Sequence, residues 1–175
     1  VLSIPKVPYS FFQGRLELNW AELKEGMEKG VFNSQAAVDR AVDLLGGDPS
    51  NGFQSNLPDV ESQLVDLAIA DDDADRSRIL DILAEGCSPR EDDRVLIVLL
   101  AWLFENRSHY DDPLAEVEFV YAEFDYPLVM RHLIRWEPNY TSIRWGHLGD
   151  TEEQIRAGLL KRWRALLKDW GFDLA

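Results

Sequence analysis

The sequence predicts an all-α protein, a single-domain bundle of about seven to eight helices, and three observations lead there. Apolar residues recur three and four apart through most of the chain, the spacing that lines one side of a helix. Capping residues open these runs and Gly or Pro closes them. Strand-like alternation is confined to, at most, a marginal hairpin around 134–145. With 175 residues and 46% hydrophobic content the chain can bury one substantial core without cross-links, so one domain is expected over 1–175.

Residues 1–12 read as an extended N-terminal arm, since Pro5 and Pro8 break it before any apolar run reaches signal-peptide length. Asn19 and Glu22 have capping-box spacing, Trp20, Leu23 and Met27 share a face, and Gly30 stops a helix over about 19–29. Val38, Ala41, Leu44 and Leu45 mark the next, from near Ser34 to Leu45, before Gly46-Gly47. A Gly/Asn/Ser loop over 46–57 leads to Pro58, at a first helical position, with Val60, Leu64 and Leu67 behind it. Asp71-Asp72-Asp73 interrupts that helix and can cap another, Asp75–Glu85, which ends at Gly86.

Ser88-Pro89-Arg90-Glu91 sets an N-cap, an N1 proline and an N3 glutamate in register ahead of Val95–Phe104. That apolar run has about half of the roughly 20 residues needed to cross a bilayer, so 89–106 is expected to be the most buried helix of the core. Asp112-Pro113 repeats the cap-and-proline signal for a helix with Leu114, Val117, Val120, Tyr121 and Phe124 inward, stopping before Pro127. A short helix and then a loop are expected over 127–149. The last helix carries Ile155, Leu159, Leu160, Trp163, Leu166, Leu167 and Trp170 on one stripe behind Asp150 and Thr151 as candidate caps.

The charge is lopsided. There are 32 Asp and Glu against 18 Lys and Arg, and residues 1–130 hold 26 of the acids but only 10 of the bases. A net charge of −14 repels nucleic acid and anionic membranes and attracts basic proteins. The local basic excess at the C-terminus follows a helix order, Glu152 and Glu153 first, Lys161, Arg162, Arg164 and Lys168 later, which complements the helix dipole. Cys87 is the only cysteine, so no intrachain disulfide or thiolate metal cluster can form, which fits a reducing cytoplasm.

Most constellations that resemble chemistry fail on a residue. Asp71, Asp73 and Asp75 have EF-hand spacing, but Arg76 stands where the loop needs Gly and Ile82 where it needs a bidentate Glu. His109, His132 and His147 are too dispersed for a local metal pair, and no phosphate loop or nucleophile elbow occurs. Trp20, Trp102, Trp163 and Trp170 fall on apolar helix faces and read as core, with Trp136 and Trp145 left over. No catalytic residue, metal or cofactor is expected. What survives is Ser108–Met130, with six acids and no Lys or Arg. On a helical wheel Asp112, Glu116 and Glu123 fall opposite Val117, and Phe119 lies among them. An aromatic framed by carboxylates suits a charge-steered interface, so Asp111, Asp112, Glu116, Phe119 and Glu123 are the expected partner-binding residues. The alternative places Phe119 beneath a neighbouring element.

Leu18-Asn19-Trp20-Ala21-Glu22-Leu23, through Gly26 and Gly30 and the Ala/Val helix 36–45, is similar to the opening of a bacterial family of small acidic proteins of unknown function. Val120–Pro127, followed by an apolar helix and Arg135-Trp136-Glu137-Pro138, resembles that family's Tyr-x-x-Phe-Asp-Tyr-Pro region. It departs at Leu128 and Val129, where acidic residues are expected. The resemblance implies an association with polymorphic toxin systems, in which such proteins are candidate immunity proteins. The resulting expectation is a cytoplasmic inhibitor that occludes a basic toxin domain through its acidic face and binds neither nucleic acid nor membrane. A structural or adaptor module is the alternative, followed by an enzyme in which His109, His132, Glu123 and Asp125 converge.

Overall fold

The computed structural model describes residues 3–46, 58–88, 90, 93–135 and 151–174. Among them the chain is all-α, with no strand. The candidate hairpin, apart from Ile134 and Arg135, lies outside the described residues, as do Trp136, Trp145, His147 and Asp150. The chain divides into two compact units, residues 5–95 and residues 1–4 with 96–175.

The first unit holds α1 (Tyr9–Phe12), α2 (Trp20–Glu28), α3 (Ser34–Gly46), α4 (Pro58–Ile69) and α5 (Asp73–Glu85). The arm is extended only to Pro8, and residues 9–12 close a helical turn where an extended strand of chain was expected. The reason is burial: Val7, Tyr9, Phe11 and Phe12 all go into the core, and a helical turn presents three of them there together. The preceding stretch is pinned by the Val7 N–H to the Val31 carbonyl at 2.8 Å and by Lys6 Nζ to the Gly30 carbonyl at 2.6 Å. Gly30, at φ +77°, supplies the left-handed residue that ends α2.

α2 begins on the capping box the sequence predicts. Asn19 Oδ1 accepts from the Glu22 N–H at 2.9 Å and Glu22 Oε2 accepts from the Asn19 N–H at 2.7 Å. Glu22 is 2% exposed, the one buried charged residue among those described. Its other oxygen lies 3.4 Å from the Arg90 backbone N–H, so one carboxylate satisfies two chain segments. Asp72 caps α5 through the Asp75 N–H at 2.8 Å, so the helix starts at Asp73, two residues before the predicted start. α3 packs on α4, α2 on α5, and α4 on α5, around Leu23, Phe32, Ala41, Leu64, Leu67 and Leu80.

α6 (Arg94–Glu105) contains the division between the units in its first turn. Residues 95–101, 103 and 104 are buried, so the expectation that the apolar run is the most buried helix holds. The helix is described from Arg94; residues 89 and 91 of the predicted cap lie outside the described residues, as does 92. The second unit continues with α7 (Pro113–Glu123), a 3-10 segment (Leu128–Leu133) and α8 (Glu152–Asp169). Thr151 and Gln154 form a second capping box at α8, and Leu159, Trp163 and Leu167 are buried. Trp102 and Trp170, expected in the core, are half-buried.

Candidate functional site

The acidic segment is organised around α7. Asp112 is its N-cap, with Oδ1 accepting from the Leu114 N–H at 3.2 Å and Pro113 at the first helical position. Arg135 reaches back from beyond the 3-10 segment. It donates from Nη1 to Asp112 Oδ2 at 2.7 Å, and from Nε and Nη2 to the two oxygens of Glu118 at 2.8 and 2.9 Å. That two-pronged fork is the strong form of an arginine–carboxylate pair. The Arg135 backbone N–H adds 3.3 Å to Glu118 Oε1. Burial pushes the Asp112 carboxyl up, but the Arg135 hydrogen bond and charge, with the Leu114 and Ala115 N–H groups, hold it below its ordinary value.

Of the five expected interface residues, Asp112 is half-buried and already occupied as cap and ion pair. Asp111 and Glu123 are exposed, whereas Glu116 and Phe119 are half-buried. Burial, reinforced by Asp112, raises the Glu116 carboxyl above its ordinary value, and burial with Glu116 nearby raises the Tyr110 phenol. Phe119 thus lies between the two expected placements, neither a free anchor nor a core ring.

Sequence reasoning passed over the turn that follows α7. Tyr126 N–H donates to the Tyr121 carbonyl at 2.9 Å and Asp125 N–H to the Ala122 carbonyl at 3.2 Å, the paired bonds of a Schellman motif. The Tyr121 and Tyr126 rings meet edge-on, centroids 5.2 Å apart, supplying the apolar contact of that motif. What departs from the usual pattern is chemistry. The left-handed position holds Asp125 (φ 58°) and not glycine, and Tyr126 is left-handed as well (φ 59°). The turn presents Tyr126 61% exposed and Leu128 75% exposed, flanked by exposed Glu123 and Asp125. Asp125→Gly is expected to raise stability by about 0.5–1 kcal/mol, read as a higher urea midpoint with an unchanged slope, because glycine removes the Cβ penalty. A lower midpoint would show that the Asp125 side chain, and not the backbone, holds the turn.

The groups considered for an enzyme do not form a network. His109, Glu123 and Asp125 are exposed, His132 is half-buried, and no hydrogen bond joins any two of them. Burial, then Arg162, lowers the His132 imidazole from its ordinary value, while its carbonyl accepts from Arg162 Nη1 at 3.0 Å. Among the described residues no group of three or more His, Cys, Asp or Glu is placed to hold a metal ion, and no helix is long and apolar enough to cross a membrane.

Fold and surface together define an acidic, all-α protein whose distinctive exposed feature is a strained, aromatic, carboxylate-flanked turn. Residues 9–170 match the family described as an uncharacterized protein conserved in bacteria (DUF2247), and the chain belongs to that family. No match was found among the curated proteins or among the solved structures.

Proposed function

We propose that the protein is a protein-binding inhibitor, an immunity protein of the bacterial cytoplasm that occludes a cognate basic toxin domain. The observation that carries this reading is the turn after α7, where Tyr126 and Leu128 stand exposed directly after the exposed acids Glu123 and Asp125. Exposed aromatic and aliphatic side chains next to like charges suit an interface in which contact and steering are divided between residue types. Backbone held in the left-handed region at two adjacent non-glycine residues fits the same role, since such strain collects at functional sites. The chain's net charge of −14 supports a basic partner and disfavours nucleic acid.

The expected interface keeps Asp111, Glu116, Phe119 and Glu123, and gains Asp125, Tyr126 and Leu128. Asp112 contributes through Arg135, by fixing α7. The test begins with the gene adjacent to this one: its product's C-terminal domain, expressed alone, should arrest growth, and co-expression of this chain should relieve the arrest. With that domain in hand, Tyr126→Ala should weaken the complex by about 1–3 kcal/mol, mainly through faster dissociation. Glu123→Gln with Asp125→Asn should slow association and flatten its salt dependence. A neighbour with no toxic domain, or a complex indifferent to both changes, would count against the proposal. A second reading, an adaptor that assembles with copies of itself, is favoured by Val65 and Ile69, one turn apart on α4 and both exposed. Concentration-dependent sedimentation abolished by Ile69→Lys would select it.

A further inference from the structure

A different feature, in the first unit, is a concavity lined by an unusual guanidinium. The turn after α1 and the last turns of α3 enclose a concavity of about 460 Å³, within the range of small-molecule sites. Arg40 lines it. The guanidinium stacks 4.9 Å from the Trp20 ring, its Nε is buried with no hydrogen-bond partner, and it forms no ion pair among the described residues. Burial lowers its pKa. Glu17 and Glu22 act on it only from beyond ion-pair distance, and in a chain with 32 acids and 18 bases a desolvated guanidinium with no carboxylate in contact among the described residues is conspicuous, because burying a charge without a close partner is costly.

The obvious partner is held away from it. Asp43, one turn along α3, accepts from the Tyr9 hydroxyl at 2.9 Å on one oxygen and from Gln13 Nε2 at 2.8 Å on the other. Burial, then the Asp43 hydrogen bond, pushes the Tyr9 phenol up to about 12, so Tyr9 remains a donor at neutral pH. Each Asp43 oxygen keeps a further lone pair. The concavity therefore presents a positive and a negative group that do not neutralise each other. Arg15 and Glu17 also line it and balance, so the site is locally neutral within an acidic protein, which disfavours a multiply charged phosphate. Phe12, Leu16 and Leu44 supply apolar wall.

We propose that this concavity binds a free amino acid with an apolar side chain, its carboxylate on the Arg40 fork, its ammonium on Asp43 and its side chain against Phe12, Leu16 and Leu44. A guanidinium matches a carboxylate in plane, and an ammonium takes the lone pairs that Tyr9 and Gln13 leave.

Titration calorimetry of the whole protein with L-leucine and L-phenylalanine tests it, with isovalerate, isoamylamine and inorganic phosphate as the comparison probes. One of the two amino acids should bind, and the Trp20 indole N–H resonance should shift in step with occupancy. R40Q and D43N should each weaken binding at least about tenfold while thermal melts stay cooperative. R40K, which keeps the charge but not the fork, should fall between R40Q and the unaltered protein. The proposal is overturned by absence of binding at about 10 mM of both amino acids. Isovalerate or phosphate binding as tightly as the amino acid, or unchanged affinity in R40K and D43N, would overturn it as well.

Discussion

Trp163→Ala should be among the most destabilising single changes in the second unit, lowering folding stability by roughly 3–5 kcal/mol. The indole is fully buried on α8, its ring edge-on to Phe104 with centroids 5.1 Å apart and 81° between the planes. Leu159 and Leu167, one turn to either side, are buried with it, so truncation opens a void that α8 cannot fill without moving its whole inner face. A second substitution separates volume from polarity. Trp163 Nε1 is buried and has no hydrogen-bond partner, a group whose desolvation is uncompensated. Trp163→Phe removes that N–H while keeping an aromatic ring against Phe104, so its cost should be smaller, under about 2 kcal/mol. Urea unfolding of both variants checks the pair. Equal losses for Phe and Ala would mean that the indole shape, and not buried area, holds α8, and a loss under about 1 kcal/mol for Ala would mean the site collapses freely.

What the sequence revealed about this molecule was local. Asn19 with Glu22 and Asp112 with Pro113 act within three residues, so their spacing announces them before any tertiary structure is known. The α6 run is similarly self-evident, because unbroken apolar residues have nowhere to go but the interior. Site residues were less legible because their roles are set by distant partners. Asp112 looks like a steering charge, and Glu118 like one more acid of the segment, until Arg135, 23 and 17 residues away, takes them up. Arg40 reads as an ordinary polar position until the turn after α1, roughly thirty residues earlier, closes over its helix. The turn at Asp125 was hidden for another reason. A Schellman stop is found by its glycine, and here none stands in the left-handed position, so the signal was absent and the geometry was present. The N-terminal turn at Tyr9–Phe12 was missed because two prolines predict extension and only burial of three aromatics outweighs them.

Gly26→Ala should destabilise the first unit by about 1–3 kcal/mol, against the sign that helix propensity gives. Gly26 lies inside α2, where alanine is favoured over glycine by about 1 kcal/mol on propensity alone. Packing opposes it. A Cβ at this position would enter the van der Waals envelope of the Phe32 ring and come within 3.2 Å of Val95 Cγ1. Phe32 cannot retreat easily: it is 1% exposed and its ring packs 5.0 Å from that of Phe12. Its backbone is fixed as well, since the Gly26 carbonyl accepts from the Val31 N–H at 2.7 Å and the Phe32 N–H at 3.1 Å. The helix and the chain that returns over it therefore meet at the one residue of α2 that lacks a side chain. Phe32→Leu alone should lose stability by leaving space, but combined with Gly26→Ala it should recover part of the loss, a coupling of about 0.5–3 kcal/mol in a double-mutant cycle. Purely additive changes, or a Gly26→Ala protein that is more stable than the original, would show that the ring gives way and that propensity governs α2 here.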